Sequence, residues 1–299
     1  MESKEIIKKY GLSIDESEIN ACIDRIVPAI SEIASEDVLK KCFSLMDLTT
    51  LHTDDTEVSV STLVEKVNVL QDRYPSYPLP ASICVFPNFA SVVASTRKSA
   101  EVHVTTVSSC FPSAQSFLEV KVRECELAVL NGAEEVDIVL ALNAFLAGRY
   151  DLASQEIKAM RKAVDDAGKQ VGRNVVLKVI LETGLLSSPE NIAAASFLAM
   201  EAGADFIKTS TGKVNINATP MAAVVMCRCI RKYYEVTGKK VGFKAAGGIS
   251  SAKDALCYYA IVSSELGGEW LCPELFRFGV SRLGNALMSE IEHNTVTFF

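Results

Sequence analysis

An α/β fold, a closed (β/α)8 TIM barrel behind an N-terminal helical extension, is what this sequence predicts, and three observations predict it. Eight short apolar, β-branched runs recur at a mean spacing of about 33 residues, which leaves room in each interval for a helix and two short loops. Helix-type patterns with clear end signals fill those intervals. The rival architecture, an open doubly wound sheet, calls in its dinucleotide-binding form for an early G-x-G-x-x-G turn, and no such motif occurs.

Taken in order, the first 40 residues read as two helices, Lys4–Tyr10 and Ser17–Ala34, packed outside the barrel or across its bottom. The strands follow at Phe43–Leu48, Ser82–Phe86, Val102–Val107, Glu135–Leu140, Val175–Leu181, Asp205–Ser210, Val241–Ala245 and Phe276–Gly279. Ser188-Pro189 and Thr219-Pro220 each place a hydroxyl at a helix N-cap and proline at the first helical position. Gly132, Gly203 and Gly238 stand where helices would end in the left-handed conformation. The first two of these begin Gly-Ala-acidic junctions that repeat 71 residues apart, about two βα units. A helix over Ala252–Gly267 follows the seventh strand. No linker or low-complexity tract divides the chain, so residues 1–40 read as an extension and 41–299 as one barrel with a C-terminal tail.

With 49% hydrophobic residues in 299, the chain can bury a sizeable core and is not disordered. Its longest apolar run, Ala255–Val262, is far short of the ~20 residues a membrane span needs. Met1–Tyr10 lacks the apolar stretch of a secretory signal and the final NTVTFF has no prenylation cysteine, so the expected location is the cytoplasm. A net charge of −7 argues against nucleic acid as partner, since that affinity rests on a basic surface. Nine cysteines, an odd number scattered through apolar stretches, read as reduced thiols. His52, His103 and His293 lie too far apart in sequence to suggest a histidine metal site.

Chemistry enters through strand parity. Barrel strands point alternate side chains inward, and those positions are normally branched aliphatics. Here Lys178 and Glu182, then Phe206, Lys208 and Ser210, then Gly242 and Lys244 take the inward parity, as do Asp47 and Asp137. Buried charges cost several kcal/mol each unless paired, so a network of this size has little value as architecture alone. Its functional reading is a Schiff-base site. An ordinary lysine is almost wholly protonated at neutral pH, whereas burial and a second ammonium nearby generate the neutral, nucleophilic amine.

Three turns suit an anion. Lys208-Thr-Ser-Thr-Gly-Lys213 offers small-residue amides and a second cation, but lacks the earlier glycine of a Walker A loop. Gly247-Gly248 precedes a helix N-terminus, and Gly279-Val-Ser281-Arg282 follows the eighth strand. Loops after strands 7 and 8 are where this fold commonly holds phosphate.

The segments Leu45-Met-Asp-Leu-Thr-Thr-Leu51, Glu135-Val-Asp-Ile-Val139, Leu177-Lys-Val-Ile-Leu-Glu-Thr-Gly184, Ala204-Asp-Phe-Ile-Lys-Thr-Ser-Thr-Gly-Lys213 and Gly242-Phe-Lys-Ala-Ala-Gly-Gly248 resemble the deoxyribose-phosphate aldolase family, class I aldolases of the (β/α)8 type. The resemblance runs in order from about residue 43 to 285. It implies reversible cleavage of 2-deoxy-D-ribose 5-phosphate to acetaldehyde and D-glyceraldehyde 3-phosphate, in deoxyribose phosphate catabolism, with no cofactor and no metal. Lys208 matches the Schiff-base lysine, Lys244 the second lysine that lowers its pKa, and Asp137 the carboxylate that relays protons with Lys244 and a water. Asp47, Thr49 and Cys84 match positions around the sugar, and Lys178 a supporting cation. Thr211, Gly212, Lys213, Gly247, Gly248, Gly279 and Ser281 match the phosphate cradle. Bacterial members commonly end in a catalytic tyrosine, where this chain has Thr297-Phe-Phe299, and many carry serine where Arg282 stands. The implied partners are the sugar phosphate and acetaldehyde, with a homo-oligomer, a dimer, as the expected assembly. Another Schiff-base aldolase acting on a ketose or keto acid, a non-catalytic sugar-phosphate barrel and a metal-dependent lyase are the competing readings.

Overall fold

Period-two burial shapes the centre of the molecule. Ile83 and Val85, Val136 and Ile138, Leu177 and Val179, Phe243 and Ala245, and Phe276 and Phe278 all point away from the barrel axis and are sealed beneath helices. In the computed structural model, which describes residues 3–299, the strands are β1 (Met46–Thr49), β2 (Ser82–Val85), β3 (His103–Val107), β4 (Glu135–Val139), β5 (Val176–Ile180), β6 (Phe206–Lys208), β7 (Gly242–Ala246) and β8 (Phe276–Val280). All pair in parallel in sequence order, and β1 pairs with β8 to close the barrel.

The helices are α1 (Ser3–Lys8), α2 (Glu16–Ala29), α3 (Glu36–Ser44), α4 (Glu57–Asn68), α5 (Leu70–Arg73), α6 (Ala90–Thr96), α7 (Leu118–Leu130), α8 (Leu142–Leu146), α9 (Tyr150–Gln170), α10 (Pro189–Glu201), α11 (Pro220–Thr237), α12 (Ala252–Leu266) and α13 (Leu283–Ile291). Ser188 and Thr219 cap α10 and α11 through their side chains, each with proline at the first turn, and Gly238 ends α11 in the left-handed region. No described helix is long and apolar enough to cross a membrane.

Three corrections concern the N-terminal region. Phe43 and Ser44 close α3 instead of opening β1. Ser35 caps that helix and Leu39, Cys42 and Phe43 bury one face of it, a helical spacing that the apolar run from Phe43 to Leu48 conceals. The second helix stops at Ala29, one residue after Pro28, and a 3-10 turn over Ile30–Glu32 follows. Residue 40 therefore falls inside α3, and three helices precede the barrel. Met1 and Glu2, the start of both the leader reading and the 1–40 extension, lie outside the described residues.

The extension lies along the barrel's flank. Tyr10 stacks on Phe197 of α10 at 4.1 Å and donates its hydroxyl proton to Glu201 at 2.6 Å. The C-terminal residues are held at α13, where Asn285 Oδ1 accepts from the backbone N–H groups of Phe298 and Phe299, 2.9 Å each. The Phe299 ring packs near Phe43.

Candidate active site

Seven of the inward residues of this barrel are charged: Asp47, Glu135, Asp137, Lys178, Lys208, Lys244 and Arg277. Asp137 of β4 pairs in register with Lys178 of β5, and Lys208 of β6 with Lys244 of β7, so side chains of neighbouring strands emerge at one level on one face. Asp137 is their meeting point. Its Oδ2 accepts from both Lys208 Nζ and Lys244 Nζ at 2.8 Å, and its Oδ1 from Lys178 Nζ at 3.1 Å. Lys244 also donates to Asp47, and Lys178 lies 3.4 Å from the same carboxylate.

Two further charges complete the set. Glu135, two residues before Asp137 on the same parity, binds Lys178, and Arg277, between Phe276 and Phe278, binds Asp47 at 2.5 Å and Glu135 at 2.8 Å. The alternation that marks Asp137 marks both of these as well, so the signal that could have found them is present in the sequence. Beneath them Phe206 fills the floor, against which a side chain at Gly242 would collide.

These partners set the protonation states. Burial is the largest influence on Lys208 and lowers its pKa, helped by Lys244 and opposed by Asp137. Burial also pulls on Lys244, but Asp137 and Asp47 together outweigh it and raise that pKa. For Asp137, burial is outweighed by Lys178, Lys208 and Lys244, which hold the carboxyl far below its usual range. The site thus contains a lysine that gives up its proton more readily than the ammonium beside it, with a carboxylate between them.

Above Lys208 opens a cavity of about 230 Å³, smaller than the ~300–1,000 Å³ of drug-sized pockets, which suits a small ligand. Lys208 reaches it from below. Thr49, Thr211, Gly212, Lys213, Gly247, Gly248, Gly279 and Ser281 line it, so the three turns singled out in the sequence converge on one space. His52 and Arg282 line the mouth as well. No carboxylate belongs to the lining, and the Arg282 side chain has no hydrogen-bond or ion-pair partner among the described residues, so Lys208, Lys213 and Arg282 present positive charge to whatever enters.

Lys244, Asp137, Asp47, Lys178 and Cys84 are fully buried and do not line the open cavity. Cys84 packs with Leu51 and Val107, and burial raises its thiol pKa. Glu182 departs from its expected place on the axis because β5 ends at Ile180. In the left-handed region at φ 56°, it accepts from the Thr211 backbone N–H at 3.1 Å and from the Thr211 hydroxyl at 2.5 Å. Lys213, next in that turn, donates to the Leu51 carbonyl at 2.7 Å across the mouth.

Residues 42–281 match the model of the DeoC/LacD family aldolases. The deoxyribose-phosphate aldolase of Homo sapiens is 40% identical over 86% of this chain and 81% of its own length. Among solved structures, an aldolase designated QR15 superposes with a TM-score of 0.65 at 27% identity, covering 84% of this chain and 96% of its own. A deoxyribose phosphate aldolase from Aeropyrum pernix, described as tetrameric, has the same fold with a TM-score of 0.68 at 23% identity over 89% of this chain and 97% of its own.

Proposed function

Because this chain belongs to the DeoC/LacD family of aldolases, we propose that it is a deoxyribose-phosphate aldolase, a lyase that reversibly cleaves 2-deoxy-D-ribose 5-phosphate to D-glyceraldehyde 3-phosphate and acetaldehyde. The observation that carries the mechanism is the pairing of Lys208 with Lys244 on one carboxylate oxygen beneath a cationic cavity.

The neutral Nζ of Lys208 adds to C1 of the open-chain aldehyde. The carbinolamine hydroxyl leaves as water, with a proton supplied through Asp137 and Lys244, and an iminium remains. The products divide five carbons into two and three, so C2–C3 is the bond that breaks. A base removes the C3 hydroxyl proton, the C2–C3 electron pair moves into the iminium, and glyceraldehyde 3-phosphate departs from an enamine. Protonation at C2 and addition of water at C1 then release acetaldehyde and restore the amine. Lys244, as ammonium, keeps Lys208 neutral and donates protons through water, while Asp137 orients both amines.

Thr211, Gly212, Lys213, Gly247, Gly248, Gly279 and Ser281 would cradle the phosphate, with Arg282 as a further cation. That remote binding holds C1 against Lys208. Thr49, at the rim, would hold the sugar, while Asp47, Lys178 and Cys84 support it from beneath. The reaction as read requires no metal, since the iminium itself takes up the electron pair of the breaking bond. A cytoplasmic location, which cell fractionation reads directly, is supported by nine free cysteines. A homodimer is supported by the apolar residues left exposed at α7, Phe117, Val120 and Leu127.

Acetaldehyde with cyanoborohydride, in chelator-containing buffer, should place an ethyl group on Lys208 faster than on the exposed lysines, mapped by peptide mass spectrometry at short times. An unmodified Lys208 in active enzyme would remove the Schiff-base mechanism, and activity abolished by the chelator would favour a metal-dependent lyase. Preference for dihydroxyacetone or pyruvate as donor would point to a different substrate within the family.

A further inference from the structure

The charges enclosed in the barrel do not balance. Asp47, Glu135 and Asp137 face Lys178, Lys208, Lys244 and Arg277, four basic groups against three acidic ones, with side chains no more than 5% exposed. An uncompensated charge in such an interior is strongly disfavoured, so the network favours shedding one proton. Only a lysine can release it, because a guanidinium stays charged. Partner geometry selects which one. Lys178 reaches three carboxylates and Lys244 two, whereas Lys208 reaches one oxygen, which it shares with Lys244.

Arg277 lies on the floor of the barrel, away from the cavity lining. It binds Asp47 Oδ1 at 2.5 Å and the two Glu135 oxygens at 2.8 and 3.2 Å. We propose that Arg277 is a positioning residue for the reactive amine: its permanent charge takes up negative capacity from below, so that the enclosed network is neutral when Lys208 carries no proton.

This inference rests on Lys208 being the nucleophile. The groups facing Lys208 are Asp137 of β4, Lys244 of β7 and Cys84 of β2. Those facing Arg277 are Asp47 of β1 and Glu135 of β4, and His103 of β3 bonds Glu135 Oε1 at 2.7 Å, the same oxygen that Arg277 binds at 2.8 Å. The His103 side chain is 43% exposed, and its bond to Glu135 raises its pKa. Its protonation adds positive charge to the same carboxylate and so acts in the same direction as Arg277.

The test is the pH midpoint for trapping acetaldehyde on Lys208 with cyanoborohydride, read by mass spectrometry. Arg277→Met leaves three basic and three acidic groups, so all three lysines can stay charged and the midpoint should rise by about one unit or more. Arg277→Lys should hold it in place. Glu135→Gln should lower it, and Arg277→Met combined with Glu135→Gln, which restores an excess of one, should return it to the wild-type position. An unmoved midpoint in Arg277→Met, or a loss of rate equal at every pH, overturns the proposal. If Arg277→Met does not fold, an unmoved midpoint in Glu135→Gln does the same. Wild-type protein that traps nothing on Lys208 would instead overturn the nucleophile assignment, so the two failures are distinguishable.

Discussion

Arg282 shows how one side chain can tune a pocket whose framework is set elsewhere. It lines the same cavity as Lys213, and no carboxylate among the described residues engages it. A hydrogen bond to a charged group is worth ~1.5–3 kcal/mol. Arg282→Gln should therefore raise KM for the phosphorylated sugar about tenfold with little change in kcat. Steady-state kinetics with 2-deoxyribose 5-phosphate and with unphosphorylated 2-deoxyribose checks this; an equal loss on both sugars would show that Arg282 does not read the phosphate. At this scale the charged residues that meet inside the barrel were largely legible, because lysine and aspartate at alternate positions of apolar strands stand out. Arg277 and Glu135 obey the same parity, but which charge touches which depends on pairing between strands far apart in sequence.

At the scale of elements, the glycine of β8 links strand packing to catalysis. A Cβ at Gly279 would come within 2.9 Å of the Ala246 Cβ and 3.0 Å of the Lys244 Cε, so the close approach of β7 and β8 depends on the missing side chain. Gly279→Ala should keep the fold but push Lys244 off Asp137. A misplacement on the order of 1 Å costs about 10²-fold in rate. Circular dichroism alongside kcat would separate the two effects, and full activity would show that the contact gives way harmlessly. Helix ends at Ser188, Thr219 and Gly238 were readable because capping is chemistry between near neighbours. The α3–β1 boundary was not, because Phe43 suits a strand by composition and a helix by the face it buries.

Across the whole molecule, an acidic chain of net charge −7 encloses a cavity whose lining is cationic. That contrast favours a small anion over a nucleic acid as the occupant. Outside, Val120 and Leu127 of α7, 49% and 42% exposed, border an apolar groove of about 640 Å³. A second copy of this surface would cover it under twofold symmetry. Light scattering should accordingly give twice the 32.4 kDa of one chain, and Val120→Lys should reduce it to one; a wild-type mass of a single chain would refute the dimer. By itself the sequence determined the number and order of the βα units, the inward parity of the charges and the turns that line the cavity. All of these follow from periodicity and local backbone chemistry. Only the tertiary structure decided that Asp137 Oδ2 is shared by Lys208 and Lys244, that Glu182 supports a turn, and that four basic groups face three acidic ones. The reason is physical: closure of the barrel sets the register between strands, and register, together with exclusion of water, decides which charges meet and which of them keeps its proton.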